Sequence, residues 1–398
     1  MSRRRALVVV IDACGVGALP DADRYGDAGT NTLAHVAEAV GGLRVPTLEG
    51  LGLGCIVPLA GVRAVPDPAI HGRLHPLGPG KDSIAGHWEL MGVVAAHAAP
   101  TYPQGFPADL VAELVRATGH EMICNLPYDG VAAIDDFGAD HLRGGGLILY
   151  TSQDSVLQLA AHVERVPEAE LHRACEAARA VMTGEHAVGR VIARPFSGAP
   201  GAFQRTDGRR DLALRPPRRS YLEELGSDGV PVHAVGKVAD LFAGVGIDHS
   251  HPGPTNAIAL GEISRLLSEV DRGLVFANLI ETDQLHGHRK DVHGFHDALR
   301  EIDAAVAGWL GRLRSDDLLV LTADHGVDPA AAHSDHTREY APLLALTGGG
   351  DIAQGESRTP PAAEPHRHDG PLADVGATVL RWLSGRETEA LPGQPFVS

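Results

Sequence analysis

Three apolar runs of this chain each lead to an aspartate. The runs begin at residues 6, 274 and 318, and the carboxylates that follow them are Asp12, Asp283 and Asp324. Short runs rich in Val, Ile and Leu are typical of strands buried on both faces, and an open parallel sheet collects its ligands beyond the carboxyl ends of its strands. We therefore expect the three carboxylates to lie at one edge of a sheet.

Imidazoles accompany these aspartates in the sequence. His325 follows Asp324 directly, His288 comes shortly after Asp283, and His336 lies further along. Five residues span about 140° around an α-helix, so we expect Asp283 and His288 to lie on a loop rather than on one helical face. Imidazole and carboxylate ligands together suit a first-row divalent cation such as Zn or Mn. Three of each would hold two metal ions, the arrangement that clamps attacking and leaving oxygens in phosphoryl transfer.

Other histidines of this region have a simpler explanation. The chain contains 22 histidines, so some of them will lie near carboxylates by chance. We interpret His286, His293 and His333 as structural residues or as residues that support the ligands.

A candidate nucleophile follows the pair Gly80-Lys81. This pair is similar to part of a phosphate-binding loop, but Asp82 stands where Ser or Thr should bind magnesium, so we reject that interpretation. A serine hydroxyl is a weak nucleophile at neutral pH, and a divalent cation lowers its pKa. Ser83 is therefore the best candidate. It is equally suited to cap a helix that begins at Ile84, and a helix N-terminus favours a phosphate.

The composition argues against some classes of partner. Lys and Arg number 34 against 51 Asp and Glu, which gives a formal net charge of −17 at pH 7. This charge argues against nucleic acid or an anionic membrane as the main partner. No apolar run approaches the ~18 residues of a membrane span, and the first run is too short for a signal peptide. The four cysteines form no Cys-x-x-Cys pair, so we expect reduced thiols and a cytoplasmic enzyme.

The order of the candidate ligands predicts the domain organisation. Asp12 lies near the start of the chain and the others lie in its last third, so one site requires both ends of the chain in one domain. Residues 99–216 carry their own strand and helix signals between proline-rich borders. The pattern predicts an α/β protein: a doubly wound, mostly parallel catalytic core from residues 1–98 and 217–398, with an inserted α/β cap from residues 99–216.

Six longer motifs make the chain resemble a known family over nearly its whole length. They are Gly-Lys-Asp-Ser-Ile-Ala-Gly-His-Trp-Glu-Leu-Met-Gly at 80–92, Tyr-Thr-Ser-Gln-Asp-Ser-Val-Leu-Gln-Leu-Ala-Ala-His at 150–162, Arg-Pro-Phe-Ser-Gly-Ala-Pro-Gly-Ala-Phe-Gln-Arg-Thr at 194–206, Gly-His-Arg-Lys-Asp-Val at 287–292, Thr-Ala-Asp-His-Gly at 322–326 and His-Thr-Arg-Glu-Tyr-Ala-Pro at 336–342. With these motifs the chain resembles the phosphopentomutases of the alkaline-phosphatase superfamily. The resemblance implies an alkaline-phosphatase-like core with a smaller inserted cap.

The resemblance also implies the reaction and its cofactors. Phosphopentomutases move phosphate between C1 and C5 of ribose or deoxyribose through a phosphoenzyme and a bisphosphate, so a sugar bisphosphate activator is expected. Two Mn²⁺ ions are implied, with other divalent metals possible. One ion would be held by Asp283, His288 and His336, and the other by Asp12, Asp324 and His325. The phosphorylated hydroxyl would be that of Ser83, where the family usually has threonine.

The substrate implied by the resemblance is a small sugar phosphate. The residues expected to contact it are Lys81, Ser152, Asp154, Arg194, Arg205 and Lys237. Lys81 would neutralise phosphate near Ser83, and a basic patch of Arg194, Arg205, Arg209 and Arg210 would hold the distal phosphate.

One segment departs from the family. Asn-Leu-Pro-Tyr-Asp-Gly-Val-Ala at 125–132 replaces a stretch similar to Asn-Lys-Pro-Ala-Ser-Gly-Thr, so Tyr128 and Asp129 stand in place of smaller groups. The preferred sugar is therefore open, and a related sugar-phosphate mutase with altered specificity is one alternative. A phosphatase or phosphodiesterase of the same superfamily is a second, and a catalytically silent binding protein is a third. The complete set of ligands and nucleophile argues against the third, and the cap motifs argue against the second.

Overall fold

A computed structural model describes residues 3–152, 155–348 and 367–397. Its strands are, in chain order, β1 (Arg5–Ile11), β2 (Ile70–His75), β3 (Met122–Pro127), β4 (Leu147–Thr151), β5 (Val156–His162), β6 (Arg190–Ser197), β7 (Gln204–Arg205), β8 (Arg210–Ala213), β9 (Val232–Val235), β10 (His249–His251), β11 (Gly273–Leu279), β12 (Asp317–Thr322), β13 (Ala341–Thr347) and β14 (Gly370–Pro371).

The α-helices alternate with these strands. They are α1 (Thr32–Ala39), α2 (Pro46–Leu51), α3 (Leu53–Ile56), α4 (Ser83–Leu90), α5 (Ala108–Thr118), α6 (Gly130–Gly144), α7 (Glu168–Val181), α8 (Tyr221–Ser227), α9 (Val238–Leu241), α10 (Asn256–Glu269), α11 (Val292–Leu310) and α12 (Asp374–Ser384). Short 3₁₀ turns span Ala22–Tyr25 and Gly184–His186, and a π-helical turn spans Thr282–Gly287.

The chain divides into two compact units. The core comprises Met1–Ala98 and Pro216–Ser398, and the inserted unit, which we call the cap, comprises Ala99–Arg215. The second border thus falls between Arg215 and Pro216, one residue before the predicted one.

The core unit is built on one mixed sheet. Its strand order is β10-β9-β11-β1-β12-β13-β2-β14. The pairs from β10 to β12 are parallel, whereas β13 is antiparallel to both of its neighbours. Every residue of β1, β11 and β12 is buried, as expected for parallel strands covered on both faces. The predicted α/β fold class with a mostly parallel core sheet is therefore confirmed.

The cap has a separate sheet with helices on both faces. Its strand order is β3-β4-β5-β6-β7, with β8 also paired to β6. Alternate residues of β4 point to opposite faces. Leu147 and Leu149 join the apolar cluster formed with α5 and α7, whereas Ile148 and Tyr150 join a second cluster formed with α6. The cap therefore has its own hydrophobic core.

Candidate active site

Neighbouring strands of the core sheet bring two of the aspartates together. β1 lies between β11 and β12, Asp12 follows β1 directly, and Asp324 lies two residues after β12. Both aspartates are buried. Between them, Ala13 adopts φ 63°, in the left-handed region that residues with a Cβ rarely occupy. Its N–H donates to Asp324 Oδ1 across 3.2 Å, so the strained residue links the two loops at the site.

Asp283 and His288 do not lie on the predicted loop. Thr282–Gly287 forms a π-helical turn after β11, and His288 ends it. A π-helix closes hydrogen bonds between residues five apart, and His288 N donates to Asp283 O across 3.3 Å. The same spacing brings the side chains together, with His288 Nε2 3.2 Å from Asp283 Oδ1. The loop prediction was wrong because its 140° argument assumed α-helical spacing.

His336 joins this pair and completes the first group of potential ligands. Its Nε2 lies 3.5 Å from Asp283 Oδ1, and its ring centroid lies 4.9 Å from that of His288. One side-chain atom from each of Asp283, His288 and His336 lies within 4.8 Å of the others. These are the three residues that the resemblance implies for one metal ion.

A second group combines Asp12, Asp283 and His325, whose potential ligand atoms also lie within 4.8 Å of one another. His325 Nε2 lies 3.4 Å from both Asp12 Oδ1 and Asp324 Oδ2. The resemblance implies Asp324, not Asp283, in this group. Asp324 is adjacent to it: its Oδ1 accepts two backbone N–H groups, whereas its buried Oδ2, 3.2 Å from His87 Nδ1, has no hydrogen-bond partner among the described residues. Asp283 thus belongs to both groups in this geometry.

Unsatisfied atoms indicate that cations complete these groups. Asp283 Oδ1 is buried and has no hydrogen-bond partner among the described residues. His288 Nδ1 lies 2.7 Å from Ser334 O, so we infer that Nδ1 carries the ring proton of the neutral imidazole and that the Nε2 lone pair faces the carboxylate. His325 repeats the pattern, with Nδ1 3.2 Å from Gly326 O. Lone pairs that face carboxylate oxygens need a positive charge between them, and a carbonyl-bound Nδ1 is usual for metal-bound histidine.

Electrostatics at the site agree with this reading. Burial and the nearby charges of Asp324 and Asp283 raise the pKa of Asp12 well above its usual range. Burial is the largest single effect on His336 and lowers its pKa, but the combined effects of Asp283, whose Oδ1 lies 3.5 Å away, outweigh burial and raise the pKa of this imidazole. A proton on His336 therefore compensates part of the carboxylate charge when no cation is bound. Protons and divalent cations must compete for the cluster.

Ser83 lies in the first turn of α4, beside the second group. Its Oγ is 3.1 Å from His325 Nε2 and 3.5 Å from Asp12 Oδ1. Asp82, not Ser83, caps the helix, because its Oδ1 accepts the N–H groups of residues 84 and 85. The Ser83 hydroxyl is therefore not used as the helix cap and faces Asp12 and His325 of the second group. The two capped amides are already used by Asp82, so they would not support a phosphate as the sequence suggested.

Helix α4 closely approaches the loop after β12. A Cβ on Gly86 would lie 2.4 Å from Asp324 O, so only glycine permits this contact. The next residue, His87, is fully buried, and its Nδ1 lies 2.9 Å from Ser83 O and 3.2 Å from Asp324 Oδ2. His87 thus ties the serine to a candidate ligand. Sequence reasoning missed it, although its spacing of four residues from Ser83 on a predicted helix was a usable signal.

The two predicted lysines have different surroundings. Lys237 Nζ lies 3.7 Å from Asp12 Oδ2, at the ligand cluster. Lys81 Nζ instead lies 3.0 Å from Asp27 Oδ2. Asp27 is completely buried, and it also accepts the N–H of Arg338 and lies 2.9 Å from His333 Nε2. Asp27 was missed because it follows no strand, and its burial becomes evident only in the fold.

The cap brings some predicted substrate contacts together. Arg194 Nε donates to Gln158 Oε1 across 3.1 Å. A Cβ on Gly130, the first residue of α6, would lie 2.5 Å from Arg205 Nη2 and 2.8 Å from the Tyr150 hydroxyl, so these two groups converge there. Tyr150 is fully buried, and its hydroxyl has no hydrogen-bond partner among the described residues. Burial raises the pKa of Tyr150, so it remains a hydrogen-bond donor.

Other predicted cap residues are engaged elsewhere or not described. Arg209 donates to Asp211 and Arg210 donates to Glu176, so the predicted patch of four arginines is partly neutralised. Ser152 lies just after β4. Asp154 lies outside the described residues.

The segment that departs from the family is bonded within the cap. Asp129 caps α6, and its Oδ1 accepts the N–H groups of Val131 and Ala132 at 2.8 and 3.1 Å. The Tyr128 hydroxyl donates to Asp136 Oδ2 across 2.6 Å. Both substituted side chains therefore help to hold α6 in place.

None of the helices in the described part of the chain combines the length and apolar character needed to cross a membrane.

The sequence also matches a family of metal-dependent enzymes, in agreement with the two Asp/His groups. The Metalloenzyme superfamily model matches residues 4–385. The fold and the two Asp/His groups thus define an enzyme of the metalloenzyme class that uses divalent metal.

Curated relatives narrow this class. A phosphopentomutase of Anaeromyxobacter sp. (strain K) is 45% identical over 388 residues, which cover 96% of each chain. A phosphopentomutase of Herpetosiphon aurantiacus is 43% identical over 100% of this chain and 99% of its own. One of Caldanaerobacter subterraneus subsp. tengcongensis is 45% identical over 86% of this chain and 87% of its own. The chain belongs to the phosphopentomutase family, as its motifs predicted, and is an isomerase.

Proposed function

We propose that the protein interconverts the 1-phosphate and 5-phosphate of ribose or deoxyribose through a phosphoserine enzyme and a bisphosphate intermediate. One observation carries the proposal beyond family membership. The Ser83 hydroxyl lies 3.1 Å from His325 Nε2 and 3.5 Å from Asp12 Oδ1, inside the group of potential ligand atoms. A serine in this position is suited to become the phosphate carrier.

The metal sites are the paired groups described above. Asp283, His288 and His336 would hold one ion, and Asp12 and His325 would hold the other with Asp324 or Asp283. Bound divalent ions, which we propose to be Mn²⁺, would lower the pKa of the Ser83 hydroxyl and neutralise charge on the transferring phosphoryl group. Mixed carboxylate and imidazole ligands suit Mn²⁺, although other divalent ions fit the same donors.

The chain's own residues hold the nucleophile for this reaction. Asp82 caps α4 and fixes the first turn, which carries Ser83. The contacts of His87 with Ser83 O and Asp324 set the position of this turn relative to the ligand loop. The ammonium group of Lys237 lies 3.7 Å from Asp12 Oδ2 and would attract the substrate phosphate to the buried acidic cluster.

The cap would supply the other contacts to the sugar phosphate. Arg194 donates to the neutral Gln158, Arg205 lies beside the Tyr150 hydroxyl at Gly130, and this hydroxyl is unpaired among the described residues. Guanidinium groups and a buried hydroxyl donor suit a phosphate oxygen. Ser152 and Asp154 are assigned to the sugar by the family motif alone. We propose that the core is the catalytic domain and that the cap recognises the sugar phosphate. We also propose that the protein does not bind nucleic acid.

The proposal is tested by following two products at once. Protein loaded with Mn²⁺ is incubated with ribose 1-phosphate and a catalytic amount of ribose 1,5-bisphosphate, and ribose 5-phosphate and free phosphate are both measured. We expect ribose 5-phosphate to form with little free phosphate, and faster with the bisphosphate than without it. Free phosphate as the main product would identify a phosphatase instead.

A pair of buried aspartates provides the control for the metal. Asp324→Asn should lose bound metal and activity together, because Asp324 lies 3.4 Å from His325 Nε2. Asp328 is equally buried but bonds Asn31 N and His35, away from the groups described above. Asp328→Asn should keep its metal, and full metal occupancy in Asp324→Asn would contradict the assignment.

A further inference from the structure

Three histidines lie side by side at the edge of the core sheet, apart from the candidate active site. His233 is on β9, and His249 and His251 are on β10, the edge strand. The strands are parallel and pair His233 with His249. Because side chains two apart share a face of a strand, His249 and His251 lie on the same face as their partner. The ring of His233 stacks at 4.5 Å from that of His249 and at 5.3 Å from that of His251.

Two of the ring nitrogens lie slightly closer together than two ligands of one ion. His233 Nδ1 lies 3.0 Å from His251 Nε2. Two imidazole nitrogens bound to one tetrahedral zinc, each at ~2.0–2.1 Å, lie about 3.4 Å apart. A small opening of the pair would therefore admit the cation. His249 is exposed, so rotation of its side chain can turn a ring nitrogen toward the same point.

Glu262 fixes the orientation of His251. Its Oε1 lies 3.0 Å from His251 Nδ1, closer than the guanidinium of Arg265 at 3.4 Å, so we infer that Nδ1–H donates to the carboxylate. The Nε2 lone pair of His251 then faces His233. A carboxylate behind a ligand imidazole is the usual support of a metal-bound histidine. The charge of Arg265 is balanced by ion pairs with Glu262 and Glu269.

A ligand imidazole must be neutral, with one ring nitrogen free of its proton. Without a cation, we infer that the Nδ1–H of His233 donates a hydrogen bond to His251 Nε2. When a cation binds Nδ1, the proton of the neutral His233 ring would lie on its own Nε2 instead.

We propose that His233, His249 and His251 form a structural site for one zinc-like divalent cation, distinct from the two ions of the candidate active site. Ligands that are all imidazole favour Zn²⁺, Ni²⁺ or Cu²⁺ over Mn²⁺. The ion would join β9 to the three-residue edge strand β10, which is otherwise held only along one side. The inference does not depend on the mutase reaction.

Zinc stoichiometry tests the proposal. Metal-free wild type and the double variant His249→Gln/His251→Gln are titrated with Zn²⁺ against a colorimetric chelator, with the exposed His97→Gln as control. We expect wild type and control to bind one more Zn²⁺ than the double variant. Activity with Mn²⁺ should be equal in all three, which shows that the variant is folded. Equal zinc numbers in the three proteins would overturn the proposal.

A matched pair of glutamates tests the geometry. Glu262→Gln weakens the support of His251, whereas Glu269→Gln removes only a partner of Arg265. We expect the first variant to bind the additional Zn²⁺ about 10–100-fold more weakly and the second to bind it normally. If both variants bind the additional Zn²⁺ equally weakly, the affinity depends on the ion pairs of Arg265 and not on the support of His251. This result would contradict the assigned ligands.

Discussion

Replacing Asp12 by asparagine should change thermal stability in opposite directions with and without metal. Asp12 is completely buried, and a carboxylate oxygen of it lies within 4.8 Å of one of Asp283. The pKa of Asp12 is raised well above the usual range by burial and by its acidic neighbours. In the metal-free protein, the Asp12 carboxyl therefore lowers the stability of the fold, either as a buried charge or because it must take up a proton. An amide removes this destabilising effect. With metal bound, the same change removes a ligand.

The magnitude follows from the geometry. Two unit charges 4.8 Å apart repel by about 3–4 kcal/mol at an effective dielectric constant of about 20. Lys237, at 3.7 Å from Asp12 Oδ2, offsets part of this repulsion. The hydrogen bond from Asn278 Nδ2 to Asp12 Oδ2 can be kept by an asparagine carbonyl. We expect a net gain of about 1–2 kcal/mol without metal, which is roughly 2–4 °C in Tm for a unit of this size.

With metal the sign reverses. A ligand present at about 100 times its Kd stabilises the protein by about 2.7 kcal/mol, and the variant loses most of this contribution. The assay is calorimetric unfolding of wild type and Asp12→Asn at pH 8, in excess chelator and in excess Mn²⁺. The variant should melt above wild type in chelator and below it in Mn²⁺.

The buried Asp328 supplies the control. It accepts the N–H groups of Asn31 and Ala330 at 2.7 and 2.8 Å and is not part of either ligand group. Asp328→Asn should lower Tm by the same amount in both buffers. If Asp12→Asn behaves like Asp328→Asn, the carboxylate cluster is not a cation site and the reasoning is refuted.

Three further predictions concern tyrosines and the cap. Tyr150→Phe removes an unpaired buried hydroxyl, so KM for the sugar phosphate should rise roughly tenfold with kcat and stability little changed, as measured by initial rates and Tm. Tyr221, whose pKa burial raises to about 12, contributes stability below pH ~10 that is lost as pH rises toward 12. Between pH 9 and pH 12, wild type should therefore lose about 2–3 kcal/mol more than Tyr221→Phe in urea unfolding, because other buried tyrosines such as Tyr150 titrate in both proteins. Asp129→Ala should cost about 1 kcal/mol because α6 loses its cap, whereas Asp129→Ser should keep the cap and leave the ratio of rates on ribose and deoxyribose phosphates unchanged.

The sequence predicted those features that depend on local pattern. The largely apolar runs at β1, β11 and β12 identified the central strands, because strands buried on both faces are apolar without strict alternation. Family motifs identified the phosphopentomutase family. The order of aspartates along the chain also indicated that both ends share one unit.

Features that depend on tertiary context were missed or misread. A π-helical turn such as the one at Asp283 is rare, and a five-residue spacing read on an α-helix would place Asp283 and His288 on different faces. Asp82 and Ser83 are both good helix caps, so the sequence alone did not show which would cap α4 and which would remain free to react. Glu176, the partner of Arg210, lies 34 residues away along the chain and becomes evident only in the fold. Asp211, the partner of Arg209, is only two residues away and was overlooked because only the basic residues were counted.

The central claim, that Ser83 carries the phosphate, is tested most directly by mapping the phosphorylated residue. Metal-loaded wild type and Ser83→Ala are treated with ribose 1,5-bisphosphate, and each protein is analysed by intact mass and peptide mass spectrometry. We expect one added phosphate on the wild type, located on Ser83, and none on the variant, which should keep its metal and fold but lose turnover. Phosphate on another residue, or a variant that still turns over, would contradict the claim.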